Sequence, residues 1–584
     1  MLASRKLGLA GAAVLLLFAA CSTAQPATST TTSAPRATPL ATAAPKAGPT
    51  AAPTASPQTA PAATPRPQGI PKPGGTLRYP LRTDPPVWDV QATTGGYQDA
   101  RIQYDLVHEF LFNREPQTDK ACQRDITPEL AQSWKWIDDL TFELKIYPGV
   151  KFHNKSPING REMTAEDVVF SLNRAFYVMQ IRASKGSSDP IDKLVAVDPY
   201  TIRFINKGPN PGLVEAGLAN FYGGHVLPRD LAKAEDKWED PYKYWIGTGP
   251  FMFKEWRPGI KSIHVKNPDY WRKGLPYLDA IEFLVMPDHS TREAAVRTGQ
   301  LDLWNWELEP MSAETLRVTA PKVILQECPP PVGFGGIYLR QDKPPFNDVR
   351  VRRAFSMAMD RDGILNSILG GHGYIGGTWP PAHPWYMKRD DFPPEVKKYL
   401  EYRPDEAKKL LAEAGYSQGL TVTLSTTPRW GIMYTAGVES VVASAAKAGF
   451  NVKPKFVEYT QFMASTIARK WPEDEQAALA NIGRDSPWRD VLTFHTKGQP
   501  ADNKGYASDP EYDKLAEEFM VTVDEAKQRE LIRRIQIMSV DKAFWVLPPR
   551  AAAFSAHQPW VKGYNFSGDG YWSSAVFGGI WLDK

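Results

Sequence analysis

The chain predicts an α/β body of two or three domains, and three observations carry that expectation. Its 584 residues are too many for one hydrophobic core. Residues 420–425 (LTVTLS) alternate like a strand, 438–447 (VESVVASAAK) follow a helical period closed by Gly449, and 451–453 return to strand; strand, helix and strand in that order predict a largely parallel sheet. The stretch from Pro128 to Arg174 reads as a two-stranded ribbon that feeds a helix.

Taken from the start, Arg5 and Lys6 precede an apolar run from Leu7 to Ala20 that ends at Cys21. Basic residues, a short apolar segment and small residues before a cut describe a secretion signal rather than a spanning helix. The ending Leu17-Phe18-Ala19-Ala20-Cys21 resembles a bacterial lipobox, which implies a lipid on Cys21. Residues 22–73 are almost entirely Ala, Pro, Thr, Ser and Gln. They offer too little apolar surface to offset the entropy of ordering, so they read as an unfolded tether stiffened by proline.

The body opens at Gly74 with a short strand (Thr76, Leu77, Arg78, Tyr79) and a loop holding Asp84 and Trp88. Residues 105–112 (DLVHEFLF) read as a helix. In the organising stretch, Phe142, Leu144 and Ile146 alternate with Thr141, Glu143 and Lys145, the period of a strand with one buried face. Pro148-Gly149 supplies a turn. Val150 and Phe152 restart the alternation. Thr164 stands three residues before Asp167, a capping-box-like start, and Val168, Leu172, Ala175 and Phe176 share a helical face. Residues 200–205 (YTIRFI) form another strand, 278–286 a buried strand, 291–298 a helix stopped by Gly299, and 301–304 a strand ending in Asn305-Trp306-Glu307. Val351, Phe355 and Ala358 mark a helix. Pro404 starts and Gly415 ends the next one. Residues 524–541 form an amphipathic helix carrying Leu531, Ile532, Ile535 and Met538.

Composition excludes more than it assigns. Sixty-nine basic against 65 acidic residues leave a net charge of +4, a balance that offers no electrostatic case for nucleic acid, which would want a clustered basic face. Gly415-Tyr416-Ser417-Gln418-Gly419 fits G-x-S-x-G, but a nucleophile elbow needs a strand before it and a helix after it, and here the order is reversed. Gly371, Gly373 and Gly376 spell G-x-G-x-x-G after a helix and before Trp379-Pro380-Pro381, so they read as a glycine-rich loop rather than a dinucleotide fingerprint. The nine His residues show no H-x-x-x-H spacing, and Cys–His clusters are absent. No catalytic constellation, metal site or cofactor is expected.

The ordered text of residues 128–174, with Gly247-Thr248-Gly249-Pro250, Asn267-Pro268-Asp269-Tyr270-Trp271 and Phe346 through Arg353, resembles the extracytoplasmic solute-binding proteins of ABC importers, in the dipeptide/oligopeptide/nickel-binding family (family 5). The likeness runs from Gly74 to Tyr564. It implies a periplasmic-binding-protein type II clamshell: lobe I from 74–115, 206–326 and 542–584, a small extra domain at 116–205, and lobe II at 327–541, hinged near 328–336 and 546–554. It also implies a monomer tethered outside the cytoplasm through Cys21, with ABC permease and ATPase subunits as partners. The ligand it implies is a small molecule: a peptide, an oligosaccharide or another organic solute. A surface receptor or chaperone-like protein on the same fold, and a secreted hydrolase, stay as alternatives.

The resemblance points to ligand residues. In peptide-binding members a loop of lobe II carries an aspartate four residues before a proline, which holds the peptide ammonium. Here Gly483 stands four before Pro487, followed by Arg484 and Asp485. A shifted loop would give Asp485 that role; as the text stands, Arg484 offers a guanidinium suited to carboxylates, phosphates or sugar hydroxyls; or the two simply pair with each other. Trp88, Trp304, Trp306, Glu307, Trp430 and Trp488, from loops beyond strands or at helix starts, are the expected cleft walls, although any one tryptophan more often packs a core than touches a ligand. Cys122 and Cys328 read as two buried free thiols, since nothing in the sequence places them together; an oxidising compartment would permit their pairing.

Overall fold

The computed structural model describes residues 69–85, 88–89, 91, 98–116, 122, 124–182, 191–219, 224–231, 240–330, 335–480, 486–498, 503–566, 568 and 574–584. The expected signal, Cys21 and the tether through residue 68 lie outside these residues. Among the described residues no helix is long and apolar enough to cross a membrane.

Four sheets organise the body. Thr76–Leu81 pairs in parallel with Ala280–Val285, which continues antiparallel into Lys261–Lys266 and Phe251–Arg257. Beside it, Ala553–His557 lies between Leu303–Leu308 and Ile324–Cys328. The organising ribbon builds an antiparallel sheet in the order Ala131–Trp136, Thr141–Ile146, Thr201–Asn206, Ile191–Asp198. Its register sets Phe142 opposite Phe204 and Leu144 opposite Ile202, and all four side chains are buried. The fourth sheet runs Phe450–Phe456, Leu420–Thr426, Ala477–Ala480, Gly336–Leu339, Trp545–Val546.

Local chemistry sets the helix starts. The carboxylate of Asp167 accepts from the backbone N–H and the hydroxyl of Thr164 at 2.9 and 3.2 Å, reaching back to begin Ala165–Arg182. Asp288, Asp348, Asp360, Asp509 and Asp524 each accept a first-turn N–H with the side chain, satisfying donors that the helix leaves open. Arg174, fully buried, fastens the organising helix to the loop after the first strand: its guanidinium donates to both oxygens of Asp89 and to Gln91 Oε1. Gly247 and Gly249 lie on the carbonyls of Val107 and Leu106, where an added Cβ would stand 2.0 and 2.3 Å from those oxygens.

Several expectations change. The helix expected at 105–112 is Gln98–Val107, and Phe112 begins a strand that pairs with Pro128; the apolar run was long enough to serve either element, and pairing with Arg124–Pro128 decides it. The sheet expected to be largely parallel is mixed, because Gly336–Leu339 lies antiparallel to both Ala477–Ala480 and Trp545–Val546. The strand expected at 278–286 is Ala280–Val285, with only alternate residues buried. Val150 and Phe152 are buried, yet flank only an isolated bridge from Lys151 to Glu162 rather than a strand.

Cys122 and Cys328 are not free thiols: they form a disulfide with Cα atoms 5.2 Å apart. The hairpin of Phe112–Pro116 and Arg124–Pro128 carries Cys122 at its tip, beside the end of Ile324–Cys328, 206 residues further along the chain.

Candidate functional site

The chain passes twice between the three-stranded sheet and the five-stranded one. It leaves Ile324–Cys328 to enter Gly336–Leu339, and returns from Trp545–Val546 to Ala553–His557. Within the second crossing Arg550–Ala551 pairs with Gly373–Tyr374. A seam runs outward from there. His372 sits between Glu327 (Nδ1 to Oε1, 3.0 Å) and Glu314 (Nε2 to Oε1, 3.3 Å). Farther along, Gly431 stands by the carboxylate of Glu309, and Gly212 lies against Trp488.

The wall on the side of the five-stranded sheet is aromatic and centred on a buried cation. Arg550 donates to the carbonyl oxygens of Trp379 and, at 2.7 Å, Thr378. Burial pulls its pKa down, against the nearby Tyr386 and Asp490 that favour its charge. Tyr386 is pushed up to about 12 by burial, so its phenol stays a neutral donor. Trp385, Trp488 and Phe519 stack beside it, with Trp385–Trp488 and Trp488–Phe519 centroids 6.2 and 5.3 Å apart. Here Thr378 Oγ1, Trp379 Nε1, Tyr386 OH, Ser486 Oγ and Trp488 Nε1 are buried with no hydrogen-bond partner. Buried polar groups are ordinarily satisfied by protein or ordered water, and these five make no hydrogen bond within the protein.

Near the first strand a small recess is lined by Tyr79, Leu81, Arg82, Asp99, Arg292 and Trp304. Arg82 clamps Asp99 through its backbone N–H, Nε and NH2 at 3.0–3.2 Å. Arg292 donates to the carbonyls of Met286 and Pro287 and lies 5.5 Å over the Trp304 ring. Among the described residues no group of His, Cys, Asp or Glu is placed to hold a metal ion.

The profile of the bacterial extracellular solute-binding proteins, family 5 Middle, matches residues 125–501, more than half of the chain. The chain belongs to that family. Among similar curated proteins are the dipeptide-binding protein of Escherichia coli, 26% identical over 84% of this chain and 92% of its own length, and heme-binding protein A of Haemophilus influenzae, 27% identical over 80% and 86%. Among solved structures, the periplasmic binding protein DppA from Helicobacter pylori in complex with the peptide STSA superposes with a TM-score of 0.72. It is 26% identical and is matched over 88% of this chain and 99% of its own. The fold is thus the type II clamshell of family 5, and the chain is an extracytoplasmic solute-binding protein of the ABC-importer class.

Within this family frame the residues expected to line the cleft separate. Trp488 and Trp430 lie on the five-stranded side, Trp430 half-buried against Tyr434, Tyr459 and Phe462. Trp304 is inside Leu303–Leu308 rather than beyond a strand; it is buried in a core cluster and borders the recess. Trp88 is buried edge-on to Trp245 and Trp256, a packing position. Trp306 and Glu307 belong to the strand, but their side chains, like all of Arg484 and Asp485, lie outside the described residues. The sequence reading missed Arg550, Tyr386 and Gly212. Trp379 had surfaced only as the end of a glycine-rich loop, and nothing local distinguishes an arginine that binds carbonyls from one that faces water.

Proposed function

We propose that this protein captures a peptide, or a small solute of related polarity, by closing its lobes around it, and hands it to an ABC permease driven by its ATPase. The observation that carries the reading is the family match, together with likeness over nearly the whole body to a peptide-bound relative. The ligands named for similar proteins, dipeptides and heme, keep the class broad. The aromatic wall with its unpartnered donors supports a ligand rich in acceptor oxygens. Gly483, standing where peptide-binding members place the aspartate for the ammonium, favours a second reading in which the ligand is a carbohydrate or anionic organic solute held by Arg484. In our reading the lobes are 74–115 with 206–326 and 542–584, and 327–541, with a small domain at 116–205. The two crossings serve as the hinge. The mature protein acts as a monomer anchored through a lipid on Cys21, with residues 22–73 as tether.

A thermal-shift screen of peptides, oligosaccharides and organic acids tests the ligand. A free-amine peptide that binds tightly, loses binding in Asp485→Ala and keeps it in Arg484→Ala would sink the non-peptide reading. No shift with any peptide would sink the first. Cys21→Ala tests the anchor: the variant should be released as soluble protein or persist as uncleaved precursor, and normal processing and fractionation would refute lipidation.

A further inference from the structure

The six-residue π-helical turn Leu213–Leu218 reaches two cores. Leu213 and Leu218 are buried with Trp245 and the organising helix, while Ala216 packs on the cluster of Trp379, Trp488 and Phe519. Gly212 precedes the turn with φ −81°, a conformation any residue adopts, so the reason for glycine is space. A Cβ there would stand 2.5, 2.7 and 2.8 Å from Cγ, Cδ1 and Cδ2 of Trp488. The indole also packs on the fully buried Phe519, with ring centroids 5.3 Å apart. The next contact on the turn is Glu215 with His383, 3.8 Å apart.

We infer, on the reading that the body is a solute-capturing clamshell, that Gly212 and Trp488 form the contact on which its lobes close. The bare backbone at 212 is the seat, Trp488 is the residue that enters it, and Glu215–His383 flanks the joint. Trp488 Nε1 is buried with no acceptor. When the seam opens, this N–H recovers water. Closure therefore carries a desolvation cost that tilts the unliganded protein toward the open form, and a solute that prefers the closed form supplies the difference. Gly212 is a positioning residue: it touches no ligand, and any side chain there holds the lobes apart.

The test reads closure without a solute. The full-length chain carrying Cys21→Ser receives Gly212→Cys and Trp488→Cys and is oxidised with copper phenanthroline. The geometry predicts a 212–488 cross-link that accumulates as closed molecules are trapped by oxidation, seen by non-reducing peptide mapping and absent from either single variant. In a second variant that leaves the aromatic stack intact, Glu215→Cys and His383→Cys are bridged by dibromobimane. Adding Gly212→Val should cut that bridging at least tenfold. Absence of cross-linking in folded protein, or equal bridging with and without Gly212→Val, would overturn the inference. A positive cross-link beside a solute screen that fails throughout would remove the ligand assignment and leave the contact standing.

Discussion

Replacing Cys122 and Cys328 together by serine should destabilise the body more than any single surface change. The disulfide closes 206 residues of chain, and the entropy removed from the unfolded ensemble by a loop of that size corresponds to about 5 kcal/mol at 25 °C in the chain-entropy model. Residual structure in the unfolded chain lowers that figure, so the expected loss is about 2–5 kcal/mol. The bond joins the tip of one hairpin to the strand that leads into the first crossing, so the loss should fall on the anchoring of residues 112–128 first. Urea titration followed by both tryptophan fluorescence and far-UV circular dichroism measures it, because a body of this size need not unfold in one step. Hydrogen exchange of the hairpin amides locates it. A change below about 0.5 kcal/mol, against a typical disulfide contribution of 2–4 kcal/mol, would refute the reasoning. So would two titratable thiols at positions 122 and 328 in denatured, unreduced wild type.

Three further outcomes follow from buried groups. Glu129 is fully buried beside Glu109 and bonded to Phe110 N, Asn113 and Ser574; burial first, and the Glu109 charge second, push its pKa from 4.5 up to about 8. The folded state thus holds a proton that the unfolded chain releases, so stability is greatest below pH 4.5 and falls as pH rises toward 8. Glu129→Gln should flatten that fall, worth a few kcal/mol at most because the pair shares the effect; parallel melting-temperature profiles for variant and wild type across this window would contradict it. Gly247→Ala drives a methyl into the Val107 carbonyl and should cost at least about 1–3 kcal/mol, read as a drop in urea midpoint; a neutral substitution would refute the packing argument. Arg361, pushed down to about 9 by burial, donates to Leu547 O, Ser356 O and Ser356 Oγ. Arg361→Met should leave those acceptors bare and cost about 3 kcal/mol or more, and a stability within about 0.5 kcal/mol of wild type would show that water replaces it.

Much of the fold was legible because its signals are local. The alternation of Phe142, Leu144 and Ile146 predicts which face of Thr141–Ile146 is buried, since side chains two apart share a face. Thr164 and Asp167 predict a helix start because three residues is the reach of a side chain to the first open N–H. Strand direction was not legible. Gly336–Leu339 and Ala477–Ala480 are buried throughout, and a strand buried on both faces carries no mark of whether its neighbour runs with or against it.

The sequence by itself determined the buried face of Thr141–Ile146, the helix start at Thr164 and, through its long ordered text, the family. Only the tertiary structure decided that Cys122 meets Cys328, that Arg550 lies behind Trp379 and Tyr386, and that Gly212 is bare because Trp488 needs its place. The reason is one of range. Capping and alternation are settled between residues two to four apart, whereas these contacts join segments well over a hundred residues apart, whose meeting depends on how whole sheets dock.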